Sequence, residues 1–254
     1  MDSISFKKSL AKIGLNLTEK NLSDFSLFLD LLKSENKKYN LTAIIKDEEI
    51  YEKHFFDSLT ILSKIEFSSQ KILDVGTGAG FPSVPLKIVF PKLDVTALDS
   101  NKKKVQFLNL VSQNLNFKNF FPVHERAEVH SNENRGFYDL VLTRATGPLP
   151  VVLEISAASL KTGGLLVAWK SSKVDDDILA SYRACKTLNL ELIEKQCVVL
   201  PFSCAKRYNL IYKKVGNTPS KYPRSYSKIK KNPLWKENMH DTNYFNYQPK
   251  GRSW

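Results

Sequence analysis

The sequence predicts an α/β fold, in which an N-terminal helical extension precedes a mostly parallel seven-stranded sheet that ends in an antiparallel hairpin. Three observations predict it. Residues 1–65 show helical apolar periodicity and contain no convincing strand. From Lys71 onwards, short apolar strands alternate with amphipathic helices, as in parallel sheets with crossover helices. Near the end, two strand-like runs follow one another with only a short loop between them.

The helical extension contains at least two amphipathic segments. Asp47 is expected to cap the N-terminus of the later one. On that helix His54 and Asp57 lie three residues apart and share a face. They form either a polar pair that faces a substrate or a hydrogen-bonded patch of helix surface, and the second is the simpler expectation. The earlier helix has one apolar stripe, with spacing i, i+3, i+4 and i+7, formed by Phe25, Phe28, Leu29 and Leu32.

The remaining elements follow from the alternation of apolar runs and turn residues. Ser100 or Asn101 is expected to cap the helix that ends near Leu115, and Gly163-Gly164 is expected to form a turn before the fifth strand. The predicted helices cover residues 81–90, 101–115, 150–160 and 177–188. The predicted strands cover residues 71–75, 95–99, 120–124, 138–143, 165–170, 195–200 and 208–213.

A glycine-rich loop follows the first strand, and the candidate site is arranged around it. From Asp74 to Pro82 the sequence is DVGTGAGFP, which contains Gly76, Gly78 and Gly80. Glycines allow a ligand to touch the backbone, and a proline can open the helix that follows. A plain strand–turn–helix corner is the alternative interpretation.

The spacing of these glycines distinguishes two kinds of ligand. A dinucleotide fingerprint needs a third glycine where Phe81 stands, because that glycine lets the helix pack close to the strand. The carboxylate of Asp74 would repel a pyrophosphate but suits a ligand with an ammonium group. S-adenosyl-L-methionine (SAM) has an amino-acid head and a sulfonium, and it has no phosphate. The loop therefore favours SAM over NAD.

Charged residues stand at the ends of the next strands, where ligands of open α/β sheets bind. Asp99 ends the second strand and is expected to accept hydrogen bonds from a ribose. The third strand leads into Glu125-Arg126-Ala127-Glu128, where a carboxylate and the neighbouring backbone either meet an adenine edge or form an exposed acidic turn. After the fourth strand, Arg144 either holds a carboxylate or phosphate or pairs with a structural acid such as Asp74 or Glu128.

Composition and cysteine usage limit the class of protein. With 254 residues and 42% hydrophobic content, the chain can bury a substantial core. It has no apolar run of membrane-spanning length and no signal-peptide layout, so we expect a cytoplasmic protein. The three cysteines, Cys185, Cys197 and Cys204, form no C-x-x-C pair and no Cys/His cluster, so neither disulfides nor a metal site is expected. We expect these side chains to be buried or half-buried.

The net charge of +12 is concentrated near the C-terminus. Twelve Lys and Arg but only two acids follow position 205, a net of +10 that leaves +2 for the rest of the chain. Cations interleaved with rings are suited to single-stranded RNA, where stacking contributes about 1 to 3 kcal/mol per base. A solubilising or disordered tail is the alternative. The candidate RNA-binding cations are Lys221, Arg224, Lys228, Lys230 and Lys231, and the neighbouring rings are Tyr222, Tyr226 and Trp235.

Several short motifs occur in order between about Asn40 and Lys170 and are jointly specific. They are NLTA from Asn40, His54 with DSL from Asp57, LDVGTGAGFP from Leu73, LDS from Leu98, RAE from Arg126 and RA from Arg144. Together they resemble the RsmG (GidB) methyltransferases of bacteria, which methylate N7 of a guanine in small-subunit ribosomal RNA with SAM. The chain departs from that family at Ser171, where a glycine is usual, and at Ser225-Tyr226-Ser227, where Gly-Thr-Pro is usual.

The resemblance implies a Rossmann-like class I SAM-dependent methyltransferase fold. It also implies that SAM contacts Gly76, Phe81, Ala127, Glu128 and Arg144. The loop argument adds Asp74, Gly78 and Asp99 to the cofactor-binding set. Because guanine N7 has a lone pair and no proton, positioning alone can drive the transfer, so no general base is expected.

The expected organisation has three parts: a helical region in residues 1–65, a SAM-binding core in residues 66–215 and a basic tail in residues 216–254. The expected partner is 16S ribosomal RNA or the small ribosomal subunit, and we expect a monomer with no membrane and no metal. Removal of residues 221–254 is expected to spare SAM affinity and to impair RNA methylation. The alternatives are a SAM enzyme acting on another RNA site or a small molecule, and an RNA-binding protein with a vestigial SAM pocket.

Overall fold

The computed structural model describes residues 1–144, 146–171 and 174–235, and its centre is a seven-stranded sheet with the order β3-β2-β1-β4-β5-β7-β6. Strand β7 is antiparallel to both β5 and β6, and the other pairs are parallel. The predicted fold class is therefore confirmed. The strands are β1 Lys71–Val75, β2 Asp94–Asp99, β3 Phe120–His124, β4 Tyr138–Arg144, β5 Leu160–Lys170, β6 Leu190–Val199 and β7 Lys206–Lys214.

Helices cover both faces of the sheet and form the N-terminal extension. Between Asp47 and Ser63, four short segments of different helical type follow one another without a break. The helices are α1 Ser3–Ala11, α2 Glu19–Tyr39, α3 Asp47–Ile50, a π-helical segment Tyr51–Phe56, α4 Asp57–Leu59, a 3₁₀ segment Thr60–Ser63, α5 Ser83–Val89, α6 Lys102–Asn114, α7 Ala127–Glu133, α8 Leu149–Ala157, α9 Val174–Leu188 and α10 Tyr226–Lys231. No helix of the described residues is both long and apolar enough to cross a membrane.

The N-terminal helices pack on one face of the sheet through a cluster of buried rings. The predicted stripe of α2 is buried in full. Phe28 of this stripe contacts both Phe55 and Phe81, with ring centroids 5.4 and 5.5 Å apart. This cluster fixes the segment between Asp47 and Ser63 over the carboxyl end of β1. The expected cap at Asp47 is wrong, because Lys46 precedes the helix and Asp47 instead pairs with Lys33 at 2.6 Å.

Two sequence predictions, the turn at Gly163-Gly164 and the burial of the cysteines, differ from the structure. Gly163-Gly164 lies inside β5, which begins at Leu160 and is interrupted by a register shift against β4 between Tyr138 and Leu140. The bulge absorbs the extra residues, so that no separate turn is needed. Cys185 is half-buried as expected, but Cys197 on the edge strand β6 and Cys204 in the following loop are exposed. Asn101 is the cap of α6, since its side chain accepts a hydrogen bond from the Lys103 N–H at 3.0 Å.

The described part of the basic tail, up to Trp235, packs on the α7–α8 side of the sheet. Arg224 donates two hydrogen bonds to the carboxylate of Glu154 at 2.8 and 2.7 Å, and the Glu154 side chain is fully buried. Arg135 donates to the backbone oxygens of Tyr222 at 2.7 Å and Thr218 at 2.6 Å. This segment is therefore part of the folded body. Residues 236–254 of the predicted tail lie outside the described residues.

Candidate active site

The carboxyl ends of β3, β2, β1 and β4 stand side by side in that order, and a cavity of about 270 Å³ runs along them. All four ends contribute, and residues of α6, α7, α8 and α10 complete the wall. The lining residues include Val75 and Gly76 after β1, Leu98, Asp99, Ser100 and Lys104 around the end of β2, Glu125, Arg126, Ala127 and Glu128 after β3, Thr146 after β4, Ile155 of α8 and Tyr226 of α10.

The glycine loop needs its glycines for conformation and, at two of them, for space. Gly76, Gly78 and Gly80 have φ values of +66°, +63° and +93°, which L side chains rarely adopt. A Cβ atom at Gly76 would lie 1.9 Å from the Thr146 methyl, and one at Gly80 would lie 2.4 Å from a Val84 methyl. The loop is therefore folded tightly against β4 and α5.

Asp99 joins this loop to the neighbouring strand and lines the cavity as predicted. Its Oδ2 accepts a hydrogen bond from the Gly78 N–H at 3.0 Å, and its Oδ1 accepts one from the Asn101 N–H at 2.9 Å. The ammonium group of Lys104 lies 3.5 Å from Oδ2. A carboxylate has lone pairs beyond these bonds, so Asp99 is able to accept a further hydrogen bond from a hydroxyl group in the cavity.

Asp74 lies beneath the loop and, among the described residues, is not part of the cavity wall. Its Oδ2 accepts a hydrogen bond from the Ser83 N–H at 3.2 Å. Its Oδ1 is buried and has no hydrogen-bond partner in the described part of the chain. Burial raises the pKa of Asp74. The carboxylates of Asp99 and Glu128 in the cavity wall fit a ligand that carries hydroxyl and amine donors and has no phosphate.

A second cavity, of about 350 Å³, lies beyond the end of β4. It is formed between the helical extension and the ends of β4, β5 and β7. Its lining residues are Ile44, Lys53, His54, Asp57, Arg144, Trp169, Lys170, Ser171, Asp177 and Arg207.

Arg144 is the centre of this second cavity. It lies 3.4 Å from the Asp57 carboxylate, 3.0 Å from Nδ1 of His54 and 3.4 Å from the Ser58 hydroxyl. Of the two alternatives for Arg144, pairing with a structural acid is observed, but the acid is Asp57 and not Asp74 or Glu128, because the helical extension brings Asp57 closer. The simpler expectation for His54 and Asp57, a patch of helix surface, is wrong, since both side chains face Arg144 and line the cavity.

Burial and the neighbouring cations set the protonation states of His54 and Asp57. Burial lowers the pKa of His54 to about 3, and the Arg144 charge adds to that effect. Because Nδ1 faces the Arg144 donor, Nε2 carries the proton and donates to the Thr42 hydroxyl at 2.9 Å. Burial raises the pKa of Asp57, and the cations of Arg144 and Arg207 oppose that rise. His54 is therefore neutral at pH 7.

The sequence-predicted site residues separate into three groups. Gly76, Asp99, Ala127 and Glu128 line the first cavity, whereas Arg144 lines the second. The Phe81 ring packs on the His54 ring, with centroids 4.4 Å apart, inside the helical layer. In the described residues, Phe81, Gly78 and Asp74 support the cavity from behind and are not in its wall.

Sequence reasoning missed Lys104, Thr146 and Tyr226 as residues of the first cavity. Lys104 and Thr146 each stand a few residues after a predicted strand, so the rule that ligands bind at strand ends could have indicated them. Tyr226 was expected to be an RNA-stacking ring, and no sequence pattern connects it with the glycine loop. Of the proposed RNA-binding cations, Arg224 is engaged with Glu154, whereas Lys221, Lys228, Lys230 and Lys231 are exposed.

The strand order, the glycine loop after β1 and the acid that ends β2 together define the class of protein. They are the fold and the cofactor site of a Rossmann-like, SAM-dependent methyltransferase. Two solved structures are similar in fold. A SAM-dependent methyltransferase from Aquifex aeolicus has a TM-score of 0.50 over 72% of this chain and 98% of that chain, at 17% identity. TYW2 from M. jannaschii, in complex with AdoMet, has a TM-score of 0.51 over 68% of this chain and 80% of that chain, at 13% identity.

Sequence comparison identifies the family. The family model for rRNA small subunit methyltransferase G matches residues 21–201. Relatives named ribosomal RNA small subunit methyltransferase G are 42% identical in Acetivibrio thermocellus, over 87% of this chain and 92% of the relative, and 40% identical in Mesoplasma florum, over 86% and 92%. The relative of that name in Bacillus subtilis is 38% identical over 92% of this chain and 99% of its own length. The chain belongs to the rRNA small subunit methyltransferase G family.

Proposed function

We propose that this protein transfers a methyl group from SAM to N7 of a guanine in the 16S RNA of the small ribosomal subunit. One observation carries the proposal. Strand β4 ends between two cavities, with Arg144 in the wall of one and Thr146 in the wall of the other. This arrangement allows a methyl donor in the first cavity to meet an acceptor base in the second. Membership of the family supports the choice of acceptor.

The lining of the first cavity supports SAM as its ligand. Asp99 and Glu128 supply carboxylates for hydroxyl and amine donors, and Gly76 leaves its backbone open to the cavity. When bound, SAM supplies a methyl group on a sulfonium, which a neutral nitrogen lone pair can attack. The proposed cofactor-binding set retains Gly76, Asp99, Ala127 and Glu128 in the wall and assigns Asp74, Gly78 and Phe81 to the support of the loop.

The lining of the second cavity supports the binding of a guanine without proton transfer. His54 is neutral, and both of its ring nitrogens already face a partner, so it is not placed to act as a general base. Guanine N7 needs none, because it carries no proton. The Oδ1 atom of Asp57 is buried without a hydrogen-bond partner among the described residues, and it matches the N–H donors of a guanine edge. The site therefore acts by alignment, which can supply roughly 7 to 11 kcal/mol of a barrier.

Cations at the mouth of the second cavity suit the phosphates of an RNA strand. Lys53, Lys170 and Arg207 line it, and the exposed Lys206 stands next to Arg207. Phosphate contacts position a nucleic acid, and contacts to the base edges then specify the base. The acceptor loop of the RNA is expected to enter between these cations. The partner is accordingly ribosomal RNA, as a free strand or within the small subunit.

The proposal is tested by methyl incorporation from labelled SAM into small subunits or 16S RNA that lack the modification. The wild-type protein is expected to label the RNA. Asp57→Asn, which keeps the size of the side chain, is expected to reduce labelling by at least about tenfold while SAM affinity is retained. Labelling of a small molecule in place of RNA, or full activity of Asp57→Asn, would contradict the proposed acceptor site.

A further inference from the structure

Tyr226 brings the C-terminal segment into the cofactor cavity. Its ring is part of the cavity wall, although it is 127 residues further along the chain than Asp99 on the same wall. Tyr226 is 37% exposed, so it is accessible to a ligand. Among the residues that the structure describes, the other members of the wall lie between Val75 and Ile155.

The ring is held against the end of β3 by an arginine. The guanidinium carbon of Arg126 lies 4.2 Å from the Tyr226 ring centroid. The Nε atom of Arg126 also donates a hydrogen bond to Glu128 at 3.2 Å, and Glu128 lines the same cavity. Tyr226, Arg126 and Glu128 therefore form one connected wall.

The helix that carries Tyr226 is anchored to the body of the protein. Ile229, on the same helix, is fully buried in the apolar cluster beneath α8. Just before the helix, Arg224 is paired with the buried Glu154. A buried apolar side chain and a buried ion pair on either side of Tyr226 fix the position of its ring.

The strand order indicates which part of the cofactor this ring meets. The carboxyl ends of the strands follow one another in the order β3, β2, β1, β4. Glu128 and Tyr226 therefore lie at the β3 end of the first cavity, and Asp99 and Gly76 follow. Arg144 lies beyond the β4 end. The methyl group must face the second cavity, next to Arg144. With the ribose at Asp99, the adenine is then at the β3 end.

We propose that Tyr226 is a cofactor-binding residue that covers the adenine of SAM, so that the basic C-terminal segment belongs to the cofactor site as well as to the RNA-binding surface. This inference rests on the proposed function, since it takes SAM as the ligand of the first cavity. The same short helix exposes Lys228, Lys230 and Lys231. The sequence-based expectation that a chain lacking residues 221–254 keeps its SAM affinity is therefore replaced by its opposite.

The test measures the affinity of the full-length chain for SAM and for S-adenosylhomocysteine by calorimetry. Tyr226→Ala is expected to weaken both ligands by about tenfold, the size of one ring–base stack, because both carry adenosine. Tyr226→Phe keeps the ring and is expected to stay within about twofold of wild type. Trp235→Ala removes a ring of similar exposure, 40%, outside the cavity wall, and is expected to leave affinity unchanged.

A second readout separates ligand contact from folding. Without ligand, Tyr226→Ala is expected to melt at the wild-type temperature, and the stabilisation by S-adenosylhomocysteine is expected to shrink. Wild-type affinity in Tyr226→Ala, or an equal loss in Trp235→Ala, would overturn the inference. Failure of the unaltered chain to bind SAM would instead reject the proposed function.

Discussion

The backbone at Gly76 leaves no room for a side chain. Gly76→Ala would place a Cβ atom 1.9 Å from the Thr146 methyl at a φ of +66°, so the loop or Thr146 must move within the cavity wall. We expect SAM affinity, measured by calorimetry, to fall by at least about tenfold. Gly136→Ala is the matched control, because φ there is +61° and nothing lies within 4 Å of the added atom. Equal SAM affinity in Gly76→Ala and wild type would contradict the assignment of the loop.

His54 makes stability sensitive to acid. Its pKa is about 3 in the folded protein and about 6.5 in the unfolded chain, so between these values the unfolded chain binds more protons. Stability from this group is complete above pH 6.5 and is lost as the pH falls, by about 2 kcal/mol at pH 5.

The corresponding measurement compares wild type with His54→Asn by denaturant titration at pH 7 and pH 5. We expect the loss of unfolding free energy on acidification to be about 2 kcal/mol smaller in the variant. Asp57, whose raised pKa has the opposite sign, is present in both proteins and cancels in the comparison. An identical loss in the two proteins would show that His54 is not held neutral by burial.

For single residues, the sequence predicted a position in the site only where that position depends on local geometry. The glycines and Asp99 could be placed because a loop and a strand end determine them. The partner of Arg144 could not, since Asp57 is 87 residues away and reaches it only through the packing of the helical extension. For the same reason Tyr226 could be recognised as a ring in a basic segment, but not as part of the cavity wall.

Helix α10 presents its cations to solvent beside the cofactor cavity. Lys228→Gln combined with Lys231→Gln is expected to weaken RNA binding several-fold and to reduce the salt dependence of log affinity by about 1 to 2, with SAM affinity unchanged. Lys92→Gln with Lys118→Gln is a control of equal charge, since these exposed residues precede β2 and β3 at the opposite edge of the sheet. Equal RNA affinity in the two double variants would exclude α10 from the RNA-binding surface.

The ion pair between Arg224 and Glu154 fastens the C-terminal segment. Arg224→Ala leaves a carboxylate with no exposed side-chain surface and without its cation, which typically costs about 3 to 5 kcal/mol. Lys195→Ala breaks a pair at the surface, where both side chains are accessible, and is expected to change stability by no more than about 1 kcal/mol. Denaturant unfolding of both variants measures the difference. A loss in Arg224→Ala as small as that in Lys195→Ala would show that the pair does not stabilise the fold.

The elements themselves were largely predictable, because alternation of apolar and turn residues indicates where strands and helices lie. The exceptions have physical causes. The π-helical segment between Tyr51 and Phe56 and the bulge that lengthens β5 depend on packing and on strand register, neither of which leaves a periodic pattern. Helix α10 follows two prolines and has only 6 residues, which is too short for an isolated helix to be stable. Its tertiary contacts, through the buried Ile229, stabilise it.

For the molecule as a whole, the two cavities and the cations Lys170 and Arg207 lie together at the carboxyl ends of the parallel strands. The sequence shows that the excess positive charge lies in the last fifth of the chain. Only the fold shows that part of this charge, at the start of β7, lies beside the carboxyl ends of the parallel strands. The division into helical extension, core and tail remains a prediction.

The position of the transferred methyl group decides whether this protein is a guanine-N7 methyltransferase. Labelled SAM, the protein and small subunits lacking the modification are incubated together, and the RNA is then mapped by the strand cleavage that N7-methylguanine permits. A single labelled guanine in 16S RNA, cleaved at N7, is expected, and Gly76→Ala is expected to give much less cleavage at the same SAM concentration. Absence of label, or label on another atom, would contradict the proposed function.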